Sequence, residues 1–150
     1  MADRSAFIAA IHDLIDTCRD GEKGWQDAAN HAKRSDLKTW FHEVSQERSG
    51  FARELQMELT RMAPDENKES QGHLVGDLHR AWIDTKTALG AGDHEILAWL
   101  EQGEDFAKRK YETALSQGLP AGVLSIVRQQ AQSVRSVHDR VKAMRDQKAA

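Results

Sequence analysis

Proline is nearly absent from this chain of 150 residues, which has only Pro64 and Pro120. Cysteine occurs once, as Cys18, so no disulfide can close within the chain. That usage suits a reducing, cytoplasmic setting. No apolar run approaches the roughly 20 residues that a membrane span requires. The first ten residues hold no continuous apolar segment, so no signal peptide is expected. β-branched residues are sparse and never alternate with polar ones over a strand's length, which removes a sheet. A surplus of one charge is missing too. The net charge is -3 with both signs interspersed, which leaves no basic field for nucleic acid. The cations near the C-terminus, among them Arg128, Arg135, Arg140 and Arg145, are interrupted by Asp139 and Asp146 and read as a solvated helical face. There is no phosphate-cradling glycine loop and no G-x-S-x-G elbow. His42-Glu43 does not open an H-E-x-x-H zinc motif, because position 46 is Gln46.

What remains is helical periodicity. Apolar residues recur at spacings of three and four over five segments. The first runs from about Ser5 to Ala32. The second runs to about Met62, with Ser35 expected as its N-cap, and Pro64 ends it. A shorter third spans about His73 to Leu89. The fourth is capped by Asp93 and closed by Gly118 at its C′ position, and the fifth has Pro120 in its first turn. The first two helices are joined by a tight turn, as are the last two, so each pair should form an antiparallel hairpin. The expectation is an all-α, single-domain four-helix bundle spanning residues 1–150. Its crossover segment, about 64–92, carries a short helix, which is ferritin-like connectivity.

Acidic residues interrupt the apolar stripes at mid-length. On the first helix positions 11, 15, 18, 22, 25 and 29 share a face, and position 22 is Glu22. On the second, the stripe 40, 44, 47, 51 and 55 contains Glu47. On the fourth, the stripe 97, 100, 104, 107 and 111 contains Glu104, with Glu101 one turn earlier. On the fifth, the stripe 127, 130, 134, 138 and 141 contains His138. A carboxylate facing an apolar core is costly unless it is paired, protonated or bound to a cation. Counted from turns near Arg34 and Leu119, Glu22 lies level with Glu47, and Glu101 with His138. Such a set suits a di-metal carboxylate site. Gly21, Gly24, Gly50 and Gly103 all lie within three residues of a seam glutamate, which implies close helix approach or local distortion. Cys18, on an apolar stripe, reads as a structural thiol. Trp99, offset from the main stripe of its helix, suits a homodimer contact.

The arrangement resembles the rubrerythrin branch of ferritin-like proteins. That branch carries Glu on the first helix, E-x-x-H on the second, E-x-x-E on the third and E-x-x-H on the fourth. The corresponding residues here are Glu22, Glu47 with Gly50, Glu101 with Glu104, and Arg135 with His138. Segments such as LIDTCRDGEKGWQDAA, ERSGFARELQ, LEQGEDFAKRKYETAL and QQAQSVRSVHDRV also resemble a family of bacterial ferritin-like proteins of unknown activity. The resemblance implies a ferritin-like fold and, in one reading, an iron or manganese protein that acts as an oxidase, peroxide scavenger or iron store. Gly50 supplies no ligand, however, and Arg135 puts a fixed cation where a carboxylate would sit. In the other reading Arg135 and Arg48 replace the metals as counter-charges, and the protein is a non-enzymatic bundle without cofactor, stress-associated or partner-binding.

Overall fold

The computed structural model describes residues 4–64 and 92–147. Four helices account for almost all of them: Arg4–His31 (α1), Ser35–Met62 (α2), Asp93–Leu115 (α3) and Ala121–Asp146 (α4). No strand occurs among the described residues, and none of their helices is long and apolar enough to cross a membrane. The crossover helix expected at about 73–89 lies outside the described residues.

The helices assemble as a four-helix bundle. α1 packs along α2 and also touches α3, α3 packs along α4, and α2 makes a slighter contact with α4. Both hairpin turns are tight, but their caps differ from expectation. Arg34, not Ser35, occupies the N-cap of α2, and its side chain makes no capping bond. The turn is tied from outside instead. Asp93, the first residue of α3, accepts hydrogen bonds from the backbone N–H groups of Lys33 (2.7 Å) and Arg34 (3.0 Å). A carboxylate thereby satisfies donors at the start of α2 and pins one hairpin to the other. In the second turn Gly118 has φ 67°, a left-handed conformation that suits glycine, and Pro120 is the N-cap of α4.

The apolar core falls into two parts. One is built from the N-terminal half of α1, the C-terminal halves of α2 and α3, and the start of α4, with Ile11, Leu14, Leu55, Leu59, Tyr111 and Val127 at its centre. The other lies at the opposite end, around Trp25, Phe41, Ile96, Leu100 and Val141. Trp99 belongs to this second cluster and is buried within its own chain, so it is not the exposed aromatic that a dimer contact would use. Between the two clusters lies a polar layer, in which Arg48, Ser49 and Glu104 are all buried.

Candidate functional site

Glu104 is the centre of that layer. It shares the buried face of α3 with Leu97, Leu100, Ala107 and Tyr111, because these positions recur at helical spacing. Its carboxylate takes three hydrogen bonds. Arg48 Nη1 donates to Oε1 at 2.7 Å, Arg48 Nη2 donates to Oε2 at 2.7 Å, and Trp25 Nε1 donates to Oε1 at 2.9 Å. The Arg48 and Glu104 side chains are each 2% exposed. This is a buried, two-pronged ion pair joining α2 to α3, with α1 supplying the third donor. Gly21 borders it: a Cβ there would lie 3.6 Å from Arg48 Nη1 and 3.7 Å from Arg48 Cγ, so the bare glycine leaves α1 one methyl's width from the guanidinium.

Burial opposes the charge on Arg48, but the Glu104 carboxylate more than reverses this and raises the Arg48 pKa. Desolvating two ions costs several kcal/mol each, so the pair adds little net stability over apolar residues of the same volume. It fixes geometry instead: the fork accepts one carboxylate orientation, and that orientation sets how α2 and α3 align. Arg48 Nε has no hydrogen-bond partner among the described residues.

A second buried network lies two helical turns away. Tyr111 Oη donates to Gln130 Oε1 at 2.7 Å. Its one hydrogen is thereby used, so the Cys18 thiol donates to Tyr111 Oη, at 3.1 Å. Gln130 Nε2 donates in turn to Glu54 Oε1 (2.8 Å) and the Phe51 carbonyl (3.3 Å). The chain of bonds runs through all four helices. Burial pushes the Cys18 thiol up to about 11 and holds the Tyr111 phenol well above its usual value, so neither is an active nucleophile. Both folded-state values exceed the unfolded ones. The stability they contribute is full below about pH 9 and is lost as pH rises through the folded values. The unfolding free energy should therefore drop steeply between pH 9 and 11, by roughly 2–3 kcal/mol for a two-unit shift. Urea titrations across that range, with Cys18→Ala/Tyr111→Phe as the flattened comparison, check this.

The remaining candidates scatter. Glu22 is half-buried and ion-paired to Arg19 at 3.0 Å, beside its own helix. Glu47 does not face the core: it is exposed and accepts a hydrogen bond from Ser133 Oγ at 2.6 Å. A Cβ on Gly50 would meet Arg53 Nη2 at 4.0 Å and neither member of the pair. Arg135 is exposed and takes no part in the Glu104 network, whereas Arg48 is its cation. Glu101 is buried and ion-paired to Arg145. His138 is buried with Nε2 2.6 Å from Asp105 Oδ1 and Nδ1 3.1 Å from Asp139 Oδ1. Ligand atoms of Glu101, Asp105 and His138 all lie within 4.8 Å of one another. Sequence reasoning passed over Asp105, Trp25 and Gln130 as polar partners. Trp25 and Gln130 stand on the predicted stripes, and a tryptophan N–H or a glutamine amid apolar neighbours is the signal that could have marked them.

The family described as Domain of unknown function (DUF2383) matches residues 6–117. The chain belongs to that family. The DUF2383 match takes in α1, α2 and α3, and with them Trp25, Arg48 and Glu104. Gln130 and His138, on α4, lie beyond it. No curated protein matches the chain.

Proposed function

We propose that this protein is a non-enzymatic bundle of the ferritin-like type, a partner-binding or stress-associated scaffold in which a guanidinium takes the place of metal. The two-pronged Arg48–Glu104 bond, buried at 2% exposure on both sides, carries the reading. A bridging carboxylate must offer an oxygen to each of two cations, and both Glu104 oxygens are already engaged by one guanidinium. The other carboxylates of the expected di-metal set do not converge. Glu22 belongs to Arg19, Glu47 to the outer surface, and Gly50 has no donor. Among the described residues, the side chains present do not fit a di-iron or di-manganese centre.

A second reading, a single divalent cation, has its own observation in the Glu101–Asp105–His138 cluster. With its proton on Nδ1 facing Asp139, the His138 ring offers the Nε2 lone pair towards Asp105, as carboxylate–histidine–metal triads do. Arg145 competes for Glu101.

One experiment separates the two: elemental analysis of chain purified without chelator or affinity tag, then loaded anaerobically with iron, manganese or zinc. The scaffold reading expects well under one metal per chain. Two irons per chain would sink it. One ion per chain, abolished by His138→Ala and untouched by Glu22→Ala, would establish the single-cation site instead.

A further inference from the structure

The outer groove between α3 and α4 holds a cavity of about 320 Å³. That is the low end of the size range of small-ligand clefts, roughly 300–1,000 Å³. Its wall carries three cations, Lys108 from α3 and Arg128 and Arg135 from α4. Arg128 and Arg135 are seven residues apart, two turns along one helical face. Lys108 lies ten residues before Gly118 and Arg128 ten after it, so they stand level across the hairpin. The ring of Tyr111 closes the floor, with its hydroxyl turned inward to Gln130, and the Gln132 side chain adds a further polar wall.

Elsewhere on this surface Arg53 bonds Ser49 and Arg140 lies over the Trp40 ring, while Arg19, Arg34, Arg61 and Arg145 are paired with the carboxylates of Glu22, Asp36, Glu58 and Glu101. The three groove cations make no such pair among the described residues. Glu112 is the one carboxylate in the lining, which leaves a net of two positive charges around the cavity. Asp139, whose carboxyl is lowered chiefly by its hydrogen bond to His138 and also by the fields of Lys108 and Arg135, is already committed to that histidine. Three like charges gathered round a concave wall, only partly offset by Glu112, match a doubly charged anion. Guanidinium forks match the paired oxygens of phosphate better than a lone carboxylate does.

We propose that the α3–α4 groove is a binding site for a phosphate dianion carried by a small phosphorylated ligand, held by Arg128, Arg135 and Lys108. The site goes beyond the scaffold reading and stands whether or not a metal binds.

Pyrophosphate is the probe, titrated calorimetrically into the full chain at low ionic strength, beside vesicles of phosphatidylcholine with and without phosphatidate. One-to-one pyrophosphate binding is expected. Arg128→Gln and Arg135→Gln should each weaken it roughly fivefold, as loss of one solvent-exposed charge at about 4 Å implies. Added salt should weaken it further, and Arg34→Gln should leave it unchanged. Both arginines are exposed, so the variants should keep the parent melting temperature, checked by circular dichroism. Binding to phosphatidate vesicles alone, lost in the double arginine variant, also supports the site and places the phosphate on a lipid. No binding in either arm, or binding indifferent to both arginines, overturns it.

Discussion

Glu104→Leu should destabilise the folded chain by about 3–5 kcal/mol, the range found when one partner of a buried ion pair is removed. The substitution leaves the Arg48 guanidinium desolvated, 2% exposed and without its counter-charge. For a domain of this length that corresponds to a melting temperature lower by roughly 10 °C or more. The converse variant, Arg48→Met, strands the Glu104 carboxylate with only the Trp25 N–H and should cost a similar amount. The double variant is the informative one. Arg48→Met/Glu104→Leu removes both desolvation costs with the lost attraction, so much of the stability should return, less the cost of leaving the Trp25 N–H without an acceptor. Urea unfolding of the four proteins forms a double-mutant cycle, and the coupling should exceed about 2 kcal/mol. A coupling near zero would mean that the pair does not hold α2 to α3, and the proposed replacement of metal by guanidinium would lose its foundation.

Why Glu104 was legible and Arg48's place was not follows from helix geometry. The depth of a residue along a bundle depends on the rise per residue, and counting from a tight turn finds it. Its direction depends on the angle about the axis, where an error of one position is about 100°. On α3 the apolar residues Leu97, Leu100, Ala107 and Tyr111 define one stripe, and Glu104 falls on it. On α2 two stripes compete. One passes through positions 44, 47, 51 and 55, the other through 44, 48, 52 and 55. Phe51 favours the first on size alone. The second is the one that faces the core: Ala52 is fully buried, Phe51 is only half-buried, and the pair Glu47 and Arg48 exchange places. The buried angle on α2 differs from the expected stripe by one residue. Arg48 is expected beside Arg135 as a counter-charge, but periodicity alone does not choose between them, because the partner of Arg48 lies 56 positions along the chain. His138 was found on its stripe, but Asp105 and Asp139, which contact its ring, sit on exposed or half-exposed positions that periodicity assigns to solvent.

Trp25 should prove nearly as critical, because it serves both halves of the architecture. Its ring is fully buried and meets Trp40 and Phe41 edge-on, each with centroids 5.5 Å apart, at the edge of one apolar cluster. Its N–H reaches out of that cluster to Glu104 in the polar layer. Trp25→Ala should therefore cost about 3–5 kcal/mol through lost burial and the cavity left behind. Trp25→Phe keeps most of the packing and deletes only the donor, so it should cost less, about 1.5–3 kcal/mol, the worth of a hydrogen bond to a charged group. The two can be told apart by repeating Trp25→Phe in the Arg48→Met/Glu104→Leu background. With no carboxylate to receive it, the indole N–H is itself a buried unsatisfied donor there, so phenylalanine should be neutral or stabilising. A penalty that stays the same in both backgrounds would assign Trp25 to packing alone. Reversal of its sign would show that one tryptophan locks the apolar end of the bundle to its charged layer.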